Sequence, residues 1–347
     1  MKLKIISLIL LPFFISCGKV KKESVNDSYS NNCYDYNGQE KISNGCAVSQ
    51  QSVVGNESTV LIISNIGLCT GSIISDNFIL TAAHCFFNKE ENKYTPIATD
   101  LSNVAYGSRI LIGNNPFDLF NLKYIEVDKI IPNEIFFVAN EKDPSFLGDV
   151  ALIKTKTSLL KNQNTKTIAL KRFEVPENSL IVSIGFGNVH DQVINKEQFP
   201  IKRWTISTHK KISTHDQFEY EKQSFSDSKM TYSDFLHFMS NKNHIELAYS
   251  KSPSQTFFLT KITNKSQGKT CSGDSGGPQI YVNGKQFSQV SITTGYYYKL
   301  HSDANDLLIG TDMCIEYPYA INTKVAPYLD WIVKEMAVYG QMPIIID

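Results

Sequence analysis

Short apolar runs separated by turn-forming residues make up most of the chain from Thr59 onward. The first set of runs is Val60–Ile63, Ser72–Ile74, Phe78–Leu80, Arg109–Ile112, Tyr124–Ile131 and Val150–Ile153. The second set is Leu180–Ile184, Arg203–Ile206, Phe257–Ile262, Gln279–Val282, Gln289–Thr293 and Ala320–Ile321. Runs of this length bounded by Gly, Asn, Asp and Pro are typical of β-strands. Two β-rich halves of similar size therefore predict an all-β fold of paired barrels rather than a βαβ fold.

One helical pattern stands out near the end of the chain. Apolar residues recur at steps of three and four after Asn322-Thr323, at Val325, Tyr328, Leu329, Ile332 and Met336. This spacing predicts a C-terminal amphipathic α-helix.

The stretch 207–256 is more polar and is interpreted as an exposed insertion, in which Tyr232–Met239 can form one or two helical turns. Its histidines show no recurring ligand spacing, so no metal site is expected from His209, His215, His237 and His244.

The first seventeen residues have the pattern of an export signal. Lys2 and Lys4 precede an apolar run from Ile5 to Ile15, which is too short to span a bilayer comfortably. The end of this segment, residues 14–17, resembles a bacterial lipobox, in which the cysteine is lipidated and becomes the mature N-terminus. The expectation is an exported lipoprotein anchored through Cys17 to a bacterial envelope; an ordinary cleaved signal would give a periplasmic or secreted protein. The polar residues 18–41 suit a tether or pro-segment.

The charge balance limits the binding partners to be expected, and the cysteine count indicates disulfides. Lysine plus arginine equals aspartate plus glutamate at 34 each, so no nucleic-acid partner is expected, and membrane contact is expected only through the lipid. Six cysteines remain beside Cys17, and an even number in an exported chain suggests disulfides, with the connectivity left open. These six are Cys33, Cys46, Cys69, Cys85, Cys271 and Cys314.

Three segments together supply the groups that amide hydrolysis by a hydroxyl requires, namely a nucleophile, a base, an orienting carboxylate and oxyanion donors. His84 lies in Thr81-Ala82-Ala83-His84-Cys85, after an apolar run. Asp149 opens the run Gly148-Asp149-Val150-Ala151-Leu152-Ile153, and Ser275 lies in the glycine-rich Cys271-Ser272-Gly273-Asp274-Ser275-Gly276-Gly277-Pro278. In this order and with these flanks, the chain resembles the trypsin and chymotrypsin family of serine proteases. The resemblance extends over nearly all of residues 42–336, including Gly185-Phe186-Gly187-Asn188, which is similar to a glycine-rich family turn.

The resemblance implies a serine endopeptidase that acts on protein or peptide substrates without a cofactor. In it, Ser275 is the nucleophile, His84 the general base and acid, and Asp149 the residue that fixes the imidazole tautomer. The backbone N–H groups of Gly273 and Ser275 would form the oxyanion hole. The implied fold has two six-stranded antiparallel barrels, at about 42–165 and 166–335, within a protease domain of residues 42–347. The active site would lie between them.

The resemblance also assigns the cysteines and an activation site. Cys69 with Cys85 and Cys271 with Cys314 match two family bridges, and Cys33 with Cys46 then pair by elimination. Lys41-Ile42 resembles the family's activation site, where cleavage by an activating protease frees an Ile amine that pairs with the Asp before the catalytic Ser, here Asp274. An alternative is that Ile42 is an ordinary strand residue in a chain that is never cut.

The predicted substrate pocket departs from that of trypsin, which has an Asp six residues before the catalytic Ser. This chain has Lys269 there, and Ala320 where trypsin has glycine, in a pocket that also includes Thr293 and Gly295. Specificity for basic residues is therefore not expected. Lys269 either favours Asp or Glu in the substrate or turns outward to solvent. An insertion that begins at Tyr296, Tyr297 and Tyr298 is expected to reshape the pocket rim.

Two other functions compete with the peptidase. A binding module on a protease scaffold that has lost catalysis would have the same fold. A serine esterase of the α/β-hydrolase type is the other, because Gly273-Asp274-Ser275-Gly276-Gly277 also satisfies G-x-S-x-G. That fold needs a catalytic His after the Ser, and only His301 follows.

Overall fold

The computed structural model of the chain defines its architecture over thirteen segments. The chain divides into two units, residues 1–32 and 33–347, and every described residue belongs to the second. The described residues are 46–47, 53–64, 67–90, 93–96, 109–112, 123–134, 136, 148–161, 165–187, 201–210, 257–261, 270–297 and 319–347.

Seventeen strands are present in these segments. Those of the first half are β1 (Cys46–Ala47), β2 (Thr59–Ile63), β3 (Leu68–Ile73), β4 (Phe78–Thr81), β5 (Phe87–Glu90), β6 (Lys93–Pro96), β7 (Arg109–Ile112), β8 (Lys123–Pro132) and β9 (Ala151–Thr155). Those of the second half are β10 (Leu170–Lys171), β11 (Leu180–Gly185), β12 (Arg203–Lys210), β13 (Phe257–Lys261), β14 (Pro278–Asn283), β15 (Gln286–Tyr297), β16 (Tyr319–Lys324) and β17 (Ile345–Ile346).

The first barrel is closed and antiparallel, with the strand order β2-β3-β4-β9-β8-β7. Five of its six strands are four to six residues long, and all four residues of β4 are buried. Closure leaves no unpaired sheet edge, so such short strands can form a stable unit around one core. The hairpin β5-β6 follows β4 as a separate two-stranded sheet.

The second half forms a nine-stranded sheet, six strands of which pair in a ring. Antiparallel pairing runs from β14 through β11, β12, β13, β16 and β15 and back to β14. Side chains of β12 alternate between buried and half-buried, as expected of a strand with one face in a core. The all-β fold with two barrels is therefore confirmed.

Several strands were not predicted or are longer than predicted. β10 and β17 add to the ring through parallel pairing, and β1 pairs with β12. β15 extends from Gln286 to Tyr297, past the predicted Gln289–Thr293, because it pairs first with β14 and then with β16. Gly295 therefore lies within a strand.

The predicted C-terminal helix is confirmed, with a different first turn. A 3-10 turn at Ala326–Tyr328 includes Pro327, and helix α1 follows over Leu329–Ala337. All five apolar residues of the pattern are buried. Beyond α1, Gln341 Oε1 accepts hydrogen bonds from Ser75 Oγ at 2.6 Å and from Asn77 N at 3.2 Å, which ties the tail to the first barrel.

Buried contacts join the two barrels along β3. Ser72 Oγ in β3 donates to Gln289 Oε1 in β15 at 2.6 Å, and both side chains are fully buried. Ile168 N, before β10, donates to Ile73 O at 2.9 Å. β3 therefore lies against the second barrel, and at its other end Thr70 N donates to Ser275 O at 2.8 Å.

Candidate active site

His84 and Asp149 lie at neighbouring strand ends. β4 pairs with β9, with Thr81 opposite Ala151, so the residues after β4 and before β9 lie side by side. His84 follows β4 in a 3-10 turn, Ala83–Phe86, and Asp149 precedes β9. The sequence placed both residues at strand ends, and the barrel pairing brings those ends together.

Both carboxylate oxygens of Asp149 contact His84. Oδ2 lies 2.7 Å from His84 Nδ1, and Oδ1 accepts a hydrogen bond from His84 N at 2.8 Å. The Asp149 side chain is fully buried and the His84 side chain is 17% exposed. For Nδ1 to donate to a carboxylate it must carry the proton, which leaves Nε2 as an acceptor. The imidazole is thus fixed in position with a basic nitrogen available for a proton.

Tyr328 braces the loop that carries Asp149, a contact that the helical pattern did not predict. Its hydroxyl accepts a hydrogen bond from Gly148 N at 3.0 Å, and the ring is buried. Burial raises the pKa of the Tyr328 phenol, and the nearby negative charge of Asp149 raises it further. The hydroxyl therefore stays protonated and neutral beside the carboxylate.

The loop that carries Ser275 lies directly against the His84 turn. Ser275 is half-buried, its carbonyl accepts from Thr70 N at 2.8 Å, and the same oxygen lies 3.8 Å from Cys85 Sγ. Gly276 has φ +82°, and a Cβ there would lie 2.0 Å from Thr81 Oγ1. The glycine thus permits an approach to β4 that a side chain would prevent.

Thr70 is a site residue that the sequence reasoning missed. Its hydroxyl donates to Gly273 O at 2.8 Å and accepts from Phe186 N at 3.1 Å. One β3 side chain thus connects the Ser275 loop with the glycine-rich turn of the second barrel. The sequence signal was only its place next to Cys69.

The buried carboxylate of Asp274 lies over the turn Gly185-Phe186-Gly187. Its Oδ1 accepts from Gly187 N and its Oδ2 from Cys271 N, both at 2.7 Å. Burial raises the pKa of Asp274 to about 6, although the two N–H donors and the charge of Arg203 act in the opposite direction. Asp274 is therefore mostly ionised at neutral pH, and it is held by one donor from its own loop and one from the turn after β11.

Three of the expected pocket residues lie on two paired strands. Gly295 on β15 pairs with Ile321 on β16, next to the pairing of Tyr296 with Ala320. Thr293 is buried, and its carbonyl accepts from Gly276 N at 2.8 Å, so β15 passes beside the Ser275 loop. Lys269 lies outside the described residues.

One predicted disulfide is confirmed, and of a second only one of the two cysteines lies in the described residues. Cys69 is bonded to Cys85, which fastens the His84 turn to β3. Cys271 is disulfide-bonded, and its predicted partner Cys314 lies outside the described residues.

The remaining expectations fall mostly on positions outside the described segments: Cys17, Cys33, Lys41, Ile42, Tyr298, His215, His237, His244 and Tyr232–Met239. Cys46 lies in β1, and Cys33, its predicted partner, lies outside the described residues. Within the described segments, no cluster of three or more His, Cys, Asp or Glu side chains could hold a metal ion. No helix of the same segments is long and apolar enough to cross a membrane.

The double-barrel fold with these residues at the contact of the two barrels is the architecture of trypsin-like proteins. A family model described as Trypsin matches residues 47–332, and this chain belongs to that family. Serine protease SP24D of Anopheles gambiae is 29% identical over 130 residues, which are 38% of this chain and 41% of that protein. The chain thus spans about two fifths of the length of this curated relative.

Proposed function

We propose that this chain is a serine endopeptidase in which Ser275 is the nucleophile, His84 the general base and Asp149 the orienting carboxylate. The observation that carries the proposal is the arrangement around His84. Both oxygens of a fully buried Asp149 contact His84, while the Ser275 carbonyl lies 3.8 Å from Cys85, the next residue along the chain.

The reaction proceeds in two halves. Ser275 Oγ attacks the carbonyl carbon of the substrate as His84 Nε2 takes the hydroxyl proton, and the resulting oxyanion is stabilised by the N–H groups of Gly273 and Ser275. His84 then gives the proton to the leaving amine, which forms the acyl-enzyme. A water molecule, activated by His84, hydrolyses the acyl-enzyme and restores Ser275. Asp149 stabilises the imidazolium that forms in each half, and its burial excludes water from this contact.

Casein hydrolysis by Ser275→Ala, His84→Ala and Asp149→Asn variants tests this function. Each is expected to lose at least roughly a thousandfold in rate, because each removes a member of a unit that acts together. Ser272→Ala, an exposed serine of the same loop, is the matched control and should keep the wild-type rate. Casein hydrolysis by folded Ser275→Ala at the wild-type rate would overturn the proposal.

The two rival functions make different demands. In the α/β-hydrolase elbow the nucleophile is followed by a helix, whereas here the strand β14 follows the Ser275 loop, so the fold does not suit that enzyme. The casein assay also tests whether the chain is a binding module that has lost catalysis. Such a module would be indicated by a folded wild-type protein that hydrolyses no substrate after the pro-segment is removed.

We further propose that the primary pocket does not select basic residues. The support is chemical: Lys269 would repel a substrate Arg or Lys, and Ala320 on β16 narrows the wall relative to glycine. A peptide library that varies the residue before the cut measures this directly. Enrichment of Asp or Glu is expected if Lys269 faces the pocket, and strong preference for Arg would contradict the proposal.

Export and activation form a separate proposal. The signal-like residues 1–17, the lipobox-like end at Cys17 and the pro-segment before Lys41-Ile42 support a lipid-anchored precursor that another protease cuts after Lys41. Mass spectrometry of the exported protein should find a lipidated Cys17 in the precursor and Ile42 as a new N-terminus in the processed enzyme. An unmodified start downstream of Cys17, or an exported enzyme in which no cut after Lys41 is found, contradicts the corresponding part.

A further inference from the structure

The carboxylate of Asp274 is already fully engaged in the continuous chain, in which the Ile42 nitrogen is acylated by Lys41. Both oxygens accept backbone N–H donors at 2.7 Å, and the side chain is 2% exposed. A Cβ at Gly185 would lie 2.0 Å from Oδ1, and one at Gly187 would lie 2.3 Å from Oδ2. The carboxylate therefore fills the space above the two glycines of the turn.

A buried carboxylate needs a compensating charge as well as hydrogen bonds, because removing an ion from water costs far more than two amide donors return. Among the described residues, Arg203, at the start of β12, is the cation that acts on Asp274, and its charge lowers the pKa that burial raises. Its own side chain is also buried, at 5% exposure. The guanidinium therefore lies within the same water-excluded region as the carboxylate.

Gly187 connects the two charged groups. Arg203 Nη1 donates to Gly187 O at 3.1 Å, and Gly187 N donates to Asp274 Oδ1 at 2.7 Å. The neighbouring basic side chain, Lys202, is engaged elsewhere: its Nζ donates to Asn56 O at 3.0 Å and to Asn56 Oδ1 at 3.1 Å. Of these two adjacent buried basic residues, Arg203 is thus the one that contacts the Asp274 turn.

The position of Asp274 also sets that of Ser275. Asp274 N donates to Cys271 O at 2.9 Å, and Gly277 N donates to Asp274 O at 2.8 Å. These bonds close the loop on both sides of the serine. A carboxylate that leaves its place over Gly185 and Gly187 therefore takes the backbone donors around Ser275 with it.

We propose that Arg203 is a positioning residue that holds Asp274, and with it the Ser275 loop, so that the chain is catalytically competent before any cleavage after Lys41. This inference rests on the proposed peptidase function. Cleavage would then add the Ile42 amine to a site in which Arg203 already supplies a positive charge. The uncut chain is an enzyme of lower activity rather than an inert precursor.

The test compares one protein before and after a defined cut. A recognition sequence for a specific protease replaces residues 37–41 of the full chain, so that cleavage frees the Ile42 amine. The rate of Ser275 labelling by a fluorophosphonate is measured on both forms, with mass spectrometry to show that the untreated chain is intact. We expect the uncut chain to label within about a hundredfold of the cut form, as an arginine already serves the site.

Arg203→Gln should slow labelling of the uncut form by about tenfold or more, since the buried carboxylate then lacks its cation. In the cut form, where the Ile42 amine supplies a charge, the same substitution should slow labelling of Ser275 by less than about threefold. Arg203→Lys keeps a charge and should restore part of the uncut rate. Lys202→Gln is the matched control, and should leave the ratio of uncut to cut rates unchanged.

The outcomes separate this inference from the proposed function. If neither form of the wild-type chain labels at Ser275, the peptidase proposal fails. If the cut form labels and the intact uncut form does not, the peptidase stands and the role of Arg203 is wrong. This second result needs no Arg203 variant, so poor folding of Arg203→Gln leaves the inference falsifiable. Equal losses in the cut and uncut forms of Arg203→Gln, with no rescue by Arg203→Lys, also contradict it.

Discussion

Thr70 N donates a 2.8 Å hydrogen bond to the carbonyl oxygen of Ser275, although 205 positions separate the two residues in the numbering. The bond joins β3 of the first barrel to the loop that precedes β14 of the second. The Thr70 hydroxyl adds a second link, to Gly273 O. Placement of the serine against the His84 turn therefore depends on the contact between barrels and not on either barrel alone.

Thr70→Val should remove the hydroxyl bonds to Gly273 O and Phe186 N while leaving the shape of the side chain nearly unchanged. The buried Phe186 N–H loses its acceptor, which costs about 1–3 kcal/mol in the free energy of unfolding. We expect kcat for peptide hydrolysis to fall by about tenfold. Denaturant unfolding and steady-state kinetics measure the two effects, and Thr70→Ser, which keeps the hydroxyl, should be close to wild type. Equal behaviour of the Val and Ser variants would show that the hydroxyl has no positioning role.

Gly187→Ala should displace Asp274, because the added Cβ would lie 2.3 Å from Oδ2. The loop that holds Ser275 then loses its anchor, so kcat should fall by about a hundredfold or more while the barrels remain folded. Gly67→Ala is the control, since a Cβ there meets nothing within 4 Å. Circular dichroism checks the fold and a peptide assay the rate. An active Gly187→Ala enzyme would mean that the carboxylate can move without consequence.

Tyr328→Phe removes the acceptor of Gly148 N next to Asp149. The orphaned N–H should lower the free energy of unfolding by about 1–3 kcal/mol. Because Gly148 precedes Asp149, kcat should fall while KM stays near its wild-type value. Tyr339→Phe, in the tail after α1, serves as the control and should leave kcat unchanged. A Tyr328→Phe enzyme with wild-type stability and kcat would contradict the bracing role.

Buried Lys202 gives the protein a specific dependence of stability on alkaline pH. Burial lowers the pKa of its amine from 10.5 to about 7, so between these values the unfolded chain binds more protons than the folded one. The free energy of unfolding should therefore rise with pH from about 7 to 10, by up to ~1.4 kcal/mol per pH unit from this group. Lys202→Met should remove that rise. Urea unfolding at a series of pH values measures it, and parallel curves for the two proteins would show that Lys202 keeps its ordinary pKa.

Much of the fold follows from local pattern. The apolar runs that form β2, β4, β7 and β11 were located from the sequence to within a residue or two, because a closed barrel buries short continuous apolar strands. The short strands β1, β10 and β17 were not found. Each is two residues long and exists through pairing with a distant strand, which no local pattern records.

The residues of the candidate site likewise divide into those that the sequence reveals and those that only the fold brings together. His84, Asp149 and Ser275 are recognised from three segments taken together, by their order along the chain and their flanking residues. Thr70 and Arg203 carry no such flanks: a threonine after a cysteine and an arginine at a strand start are common, and their roles arise only from contacts across the barrels. Barrel closure and the approach of β3 to the Ser275 loop create those roles, so the sequence could not have revealed them.

The most direct test of the peptidase account is to locate a covalent fluorophosphonate adduct by mass spectrometry on the protein with a free Ile42 amine. The account predicts a single adduct on Ser275 that forms readily in the wild type, is absent in Ser275→Ala and forms at least about a thousandfold more slowly in His84→Ala. A folded, cut protein that remains unlabelled, or that carries its adduct on another residue, would contradict it.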